Sequence, residues 1–230
     1  MTKYGKKYQE AKTKLGQPKV FSFVDGLKKV KELAFARFDE SVDVHINVGV
    51  DPSKGDQVVR GSVLLPHGTG KVVKIAVFAK GDYAEEARKA GADYIGAEDL
   101  VEKIEGGWFD FNYAIATPDL MAMVGKVAKI LGPRGLVPNK KTGTVTFDIA
   151  SIVADLKKGR LFFKNDKNAI VHFTCGRVSF DVQKLQENLT TFVRALAASK
   201  PASSKGKFLK KMTISSTMGV GIQINPDELS

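Results

Sequence analysis

Val42-Asp-Val-His-Ile-Asn-Val-Gly-Val50 places an aliphatic residue at every second position, whereas Val72-Val-Lys-Ile-Ala-Val-Phe-Ala79 is apolar almost without a break. The first pattern is that of a strand with one solvated face, the second that of a strand covered on both faces in a parallel sheet. Between them stands Pro66-His67-Gly68, a breaker where the grammar of the chain changes. The two patterns therefore belong to different sheets.

On the N-terminal side, residues 3 to 16 read as a Lys-rich helix stopped by Gly16 and Pro18. Ser22 is the expected N-cap of a second helix with Asp25 in its first turn and Val24, Leu27, Val30, Leu33 and Ala34 on one face. Ser62 to Leu65 is a further strand. Beyond Gly68 the expected order is strand Val72 to Ala79, helix Tyr83 to Ala90, strand Tyr94-Ile95 and helix Asp99 to Ile104. It continues with strand Tyr113 to Ala116, helix Leu120 to Leu131, strand Thr144 to Phe147 and helix Ile149 to Lys158. Strands alternating with helices through short joints predict a small doubly wound sheet. Lys158-Gly159-Arg160 is the second boundary. After it come strands Leu161 to Lys164 and Ile170 to Thr174 across a hairpin-like turn, helix Val182 to Ala198, and a Pro/Ser/Gly/Lys linker from Lys200 to Lys207. A long strand, Lys211 to Ile224, is interrupted at Gly219-Val-Gly221.

The fold class is thus α/β with two domains. A split α+β domain (1–67 plus 161–230) is interrupted by an inserted Rossmann-like, three-layer α/β domain (68–160), and glycine-containing crossings predict a hinge.

Charge separates the two further. The 230 residues hold 36 Lys/Arg against 25 Asp/Glu, a net of +11, which favours an anionic partner. Residues 68 to 160 hold 14 against 12, leaving 22 against 13 on the flanking segments. From Asn188 to Pro226 there is no acid, while Arg194, Lys200, Lys205, Lys207, Lys210 and Lys211 all occur. The expected polyanion surface therefore lies on the split domain. The Ser/Thr-rich run Thr213 to Gly221 inside that stretch has two readings, small donors for RNA sugar edges or simple β-propensity. A single cysteine, Cys175, excludes an internal disulfide and is expected in the core. The N-terminus has no apolar core of a secretory signal, and no apolar run approaches a bilayer span.

Enzyme readings fail on their residues. Leu65-Pro-His-Gly-Thr-Gly-Lys-Val72 lacks the first glycine and the magnesium-binding hydroxyl of a phosphate loop, and it precedes a strand instead of following one. His45, His67 and His172 are dispersed in sequence without metal-ligand spacing. No catalytic residue, metal site or cofactor is expected; a nucleotide-dependent enzyme on the inserted domain is the alternative, and a membrane-surface protein a third.

Met123-Val-Gly-Lys-Val-Ala-Lys-Ile-Leu-Gly-Pro-Arg-Gly-Leu-Val-Pro-Asn139 resembles the signature of the bacterial large-subunit ribosomal protein L-one family. Phe35 to Asp43, Asp51-Pro52, Asp56 to Gly61, Leu65 to Gly68, Ala90 to Asp93, Ala116 to Asp119, Gly159-Arg160, Asn165 to Lys167 and Ser216 to Gly219 resemble it in order. The resemblance implies an rRNA-binding, ribonucleoprotein role. The protein would bind the mobile rRNA stalk near the tRNA exit site, assist release of deacylated exit-site tRNA, and repress translation of its own operon by binding that mRNA. It also implies a cytoplasmic, ribosome-bound location, a monomer when free, no cofactor and no membrane partner. By motif match the RNA contacts fall on Arg37, Phe38, Ser41, His172, Ser215, Thr217, Met218 and Gly219. Ser41 stands where the family often has Thr and Arg37 where it often has Lys, which alters donor geometry. Lys126, Arg134, Lys140, Lys141, Lys205 and Lys207 form a secondary basic, RNA-facing set. The acid-free loop after Gly132-Pro133 is expected to be stiff and peripheral, since it sits on the nearly neutral domain.

Overall fold

The computed structural model describes residues 4–16, 20–204 and 206–229; the side chains of Lys141, Asp227 and Leu229 lie outside that description. In chain order the elements are α1 (Lys6–Leu15), α2 (Phe23–Leu33), β1 (Ser41–Val48), β2 (Arg60–Leu64), β3 (Ile75–Phe78), α3 (Asp82–Lys89), β4 (Tyr94–Gly96) and α4 (Glu98–Glu105). There follow β5 (Tyr113–Ala116), α5 (Met121–Leu131), α6 (Ile149–Lys158), β6 (Arg160–Lys164), β7 (Ile170–Arg177), α7 (Val182–Ala198), β8 (Leu209–Ser216) and β9 (Ile222–Ile224). Two compact units result, Met1–Gly70 with Leu161–Ser230, and Lys71–Arg160.

The first unit is built on a four-stranded antiparallel sheet in the order β7-β1-β8-β9. Val42, Val44, Ile46 and Val48 of β1 are buried on one face, as the period of two requires. Full burial of each is worth roughly 1.5–3 kcal/mol. They pack in one core with Leu27 and Val30 of α2 and with Leu185, Leu189, Phe192 and Val193 of α7. Ser22 caps α2, its hydroxyl accepting from the Asp25 N–H at 3.3 Å. Phe192 stacks on Phe173 from β7 and meets Phe163 from β6 edge-on. Cys175 is buried, donates to the Leu185 carbonyl at 3.1 Å, and burial pushes its thiol up to about 12. At neutral pH it is an inert core thiol.

Asn188 on α7 is fully buried and ties the segment after Leu65 to this core. Its Oδ1 accepts from the His67 N–H at 3.1 Å, while its Nδ2 donates to Gly68 O at 2.9 Å and Cys175 O at 2.8 Å. Asn188→Ala leaves these backbone groups without partners, and an unsatisfied buried polar group costs about 1–3 kcal/mol. The expected result in urea unfolding is a loss of about 2 kcal/mol; an unchanged midpoint would show that the three bonds do not hold this crossing.

Two expectations in this unit are corrected. Lys211 to Ile224 is not one interrupted strand but a hairpin, because β8 and β9 pair antiparallel with Met212 across from Ile224. Glycine makes the reversal possible: a Cβ on Gly219 would lie 2.3 Å from Ser216 Oγ, and one on Gly221 3.1 Å from Thr213 Cγ2. Leu161 to Lys164 and Ile170 to Thr174 do not form a hairpin either. β6 pairs with β2 and β7 with β1, with only an Asn165–Val171 bridge between them. The Asn165 side chain turns instead to the Val59 N–H at 2.8 Å. Of the three histidines dispersed in sequence, His45 and His172 are cross-strand neighbours, while His67 meets Glu187.

The second unit holds a three-stranded parallel sheet, β4-β3-β5. Ala76, Phe78, Ala114 and Ala116 face α4 and α5 in one core. Ile75, Val77 and Ile115, all fully buried, take the opposite face, where α3 and α6 pack on each other. Here too the strands are shorter than expected. Of the run Val72 to Ala79 only Ile75–Phe78 is paired as strand and Val72 is 89% exposed; the Lys74 N–H is taken instead by the Asn112 side chain at 3.0 Å. Thr144 to Phe147 contributes a single parallel bridge, Val145 to Ala116, held by the Ala116 N–H to Thr144 O at 3.0 Å and the Thr146 N–H to Ala116 O at 3.2 Å.

Candidate nucleic-acid interface

Glu40, the residue before β1, organises the candidate site. Its side chain is 2% exposed. Oε1 accepts from the backbone N–H groups of Phe35 at 3.1 Å and Ala36 at 2.8 Å, and Oε2 from that of Met218 at 3.0 Å. Burial alone would raise this carboxyl. The nearby Ser216 hydroxyl and the Met218, Ala36 and Phe35 N–H groups outweigh burial and hold it below the ordinary 4.5. The Ser216 hydroxyl is close enough to favour the charge yet outside hydrogen-bonding geometry, so the backbone bonds are the secure part. One carboxylate thus closes two loops, 34–39 after α2 and 216–219 at the tip of the β8–β9 hairpin.

Each loop has further fixings. Asp39 accepts from the Ser179 N–H at 3.1 Å and the Ser179 hydroxyl at 2.8 Å, and Arg177 donates to the Asp39 carbonyl at 3.1 Å. In the second loop the Gly219 N–H donates to Ser216 O at 3.1 Å, a turn whose corners are Thr217 and Met218. The Thr217 hydroxyl oxygen accepts from the Ser41 N–H at 2.9 Å, and its own hydrogen has only a long contact, 3.5 Å, to the Ser41 carbonyl. With their backbones pinned, the tips stand out: Phe38 is 56% and Met218 54% exposed, and Arg37 is exposed beside them. Large apolar side chains held in solvent by buried polar bonds indicate a surface made for contact.

The structure brings Arg37, Phe38, Ser41, Thr217, Met218 and Gly219 together around Glu40. Ser215 and His172 lie on the open, polar face of the sheet, Ser215 across from Asp43 and His172 across from His45. His172 is four positions along β1 from the Ser41 end, about 13 Å at the usual rise, and so belongs to the same face but not to the loop cluster. Of the secondary set, Lys207 is exposed on the first unit, and Lys126 and Lys140 on the second. Arg134 stacks its guanidinium 3.7 Å over Phe109, which fixes the loop that follows α5. Lys205 and the side chain of Lys141 lie outside the described residues. Among the described residues no group of three His, Cys, Asp or Glu side chains is placed to hold a metal ion.

Sequence reasoning missed Glu40 and Asp39. Their partners, Met218 and Ser179, lie 178 and 140 residues away, and no local pattern announces bonds of that reach.

A mixed α/β protein with a net charge of +11 and apolar tips standing beside a cation is suited to a structured polyanion. The chain matches the model of the Ribosomal protein L1p/L10e family over residues 29–220 and belongs to that family. It is a structural protein of the large ribosomal subunit, a component of the ribosome in the cytoplasm, in a family that is generally non-enzymatic.

Proposed function

We propose that the protein binds the rRNA stalk of the large subunit near the tRNA exit site. It does so through the unit formed by the two ends of the chain, with the inserted unit as a separate domain. Arg37 supplies the charge, and Phe38 and Met218 pack on sugars or bases. Ser41, Ser215, Thr217 and the close approach at Gly219 meet sugar edges and 2′-hydroxyls, with His172 further along the sheet. The observation that carries this reading is the pair of loops closed on Glu40, which display Phe38 and Met218. A protein that grips the stalk at this point is placed to assist release of deacylated tRNA. One that recognises the same fold in its own mRNA represses its own operon. Monomeric behaviour in the free state fits a surface that recognises RNA and not a second copy.

The test is titration of the full chain against a stalk rRNA fragment and a scrambled hairpin at two salt concentrations. The logarithm of affinity for the stalk is expected to fall with the logarithm of salt by roughly 0.7–0.9 per phosphate neutralised. Phe38→Ala removes a contact of the stacking kind, worth about 1–3 kcal/mol, so about a tenfold loss on the stalk fragment is expected. Equal affinity of wild type for both RNAs would sink the reading.

A further inference from the structure

Two histidines meet on the open face of the four-stranded sheet. His45 of β1 lies directly across from His172 of β7 on one side and Thr213 of β8 on the other. The two ring Nδ1 atoms are 2.8 Å apart, and the rings meet edge to face. His172 is also held from its other nitrogen, Nε2, by Asp166 Oδ2 at 3.3 Å. Asp166 is itself fixed, accepting from the Asn168 N–H at 2.8 Å and the Ile170 N–H at 2.7 Å.

This chain of bonds assigns the hydrogens. A carboxylate can only accept, so neutral His172 keeps its hydrogen on Nε2 and presents a bare Nδ1 to His45. The hydrogen between the rings then belongs to His45 Nδ1. What remains is His45 Nε2, an unprotonated acceptor on a half-buried side chain of the polar sheet face. A proton added to the pair, on either ring, puts a hydrogen on that atom.

The surroundings select what it can meet. The charged groups facing the pair are Asp43 on β1, Asp166 before β7 and Lys211 on β8, while Thr174 and Thr213 add hydroxyls. Two carboxylates against one ammonium repel a phosphate, and a neutral donor fits. RNA offers such donors along its minor groove as 2′-hydroxyls. We propose that His45 is an RNA contact whose Nε2 accepts a hydrogen bond from a ribose 2′-hydroxyl, and that Asp166 and His172 are positioning residues that set its tautomer. This rests on the reading that the unit binds RNA.

The experiment uses the full chain at about pH 8, above the ordinary imidazole range. Nitrogen NMR of the free protein is expected to show His45 Nε2 without hydrogen. A stalk rRNA fragment and copies carrying 2′-deoxy substitutions nucleotide by nucleotide are then titrated. His45→Phe is expected to lose about fivefold on the all-ribose fragment and nothing on the copy lacking the contacted hydroxyl. His45→Gln, whose amide oxygen accepts, is expected to stay near wild type. A hydrogen on His45 Nε2, unchanged affinity of His45→Phe, or the same loss on every probe would each overturn the contact. Failure of wild type to bind the fragment at all is a separate outcome, in which the RNA reading falls and takes this inference with it.

Discussion

Glu40→Ala is expected to lower stability by about 1.5–3 kcal/mol, the worth of hydrogen bonds to a charged group. It strands the N–H groups of Phe35, Ala36 and Met218 at once. Circular dichroism with urea reads the stability, and stalk-RNA affinity should collapse in the same variant because both loops lose their shared anchor. Glu40→Gln separates the two contributions. Its carbonyl oxygen still serves one loop, but its amide nitrogen cannot accept from the other, so one loop closes while the other opens. The pH dependence has a definite sign. Glu40 is held below its ordinary 4.5 in the folded protein. Its contribution is therefore complete above that value and is lost as pH falls through the lower, folded-state value. Wild type should show this acid-side loss, and Glu40→Gln should not. A Glu40→Ala protein as stable as wild type would mean that the loops close without the carboxylate.

Much of this architecture was legible from local pattern. The alternation of Val42 to Val48 and the unbroken run within Ile75 to Phe78 reflect burial on one face and on two, and burial is what hydrophobic periodicity records. Ser22 and the apolar face of α2 were readable for the same reason, since a cap and a helical face are set by neighbours within a few residues. Strand partners were not. Whether residues after Met212 continue or fold back depends on a contact between Gly219 and Ser216, and the alternation of β8 and β9 is the same in either case. Val72 illustrates the opposite error. Its apolar character matched a buried strand, but the strand begins only at Ile75 and leaves it outside.

The candidate site divides in the same way. Exposed Phe38 and Met218 were found through the family's motif, because periodicity alone assigns a Phe or Met to a core. Glu40 and Asp39, which make those exposures possible, were invisible. A carboxylate beside a basic loop looks like ordinary surface charge until partners 178 and 140 residues away are placed against it. The His45–His172 pair was hidden for the same reason, with 127 residues between the two rings.

Gly219→Val is expected to weaken stalk-RNA binding about a hundredfold, equivalent to ~2.7 kcal/mol, while leaving the fold of both units intact. The cause is space. A Cβ at position 219 would stand 2.3 Å from Ser216 Oγ and 3.4 Å from Ser216 Cβ, so either the hydroxyl moves or the turn opens. Overpacking of this kind costs about 1–3 kcal/mol, and the tip is where the chain can yield. Opening the turn breaks the Gly219 N–H bond to Ser216 O and displaces the Thr217 hydroxyl and the Met218 N–H from Ser41 and Glu40. Gly219→Ala should show the same effect in smaller measure. Ser216→Ala removes the obstructing oxygen, an atom with no hydrogen-bond partner in this structure, and should restore binding to Gly219→Ala but not to Gly219→Val. The coupling between the two positions in a double-mutant cycle therefore measures how far the tight turn, and not the identity of residue 219, matters for affinity. If Gly219→Val binds as wild type does, the turn is not part of the RNA surface. If Gly219→Ala is impaired and Ser216→Ala does not rescue it, residue 219 itself must touch the RNA closely enough that a single methyl group is excluded.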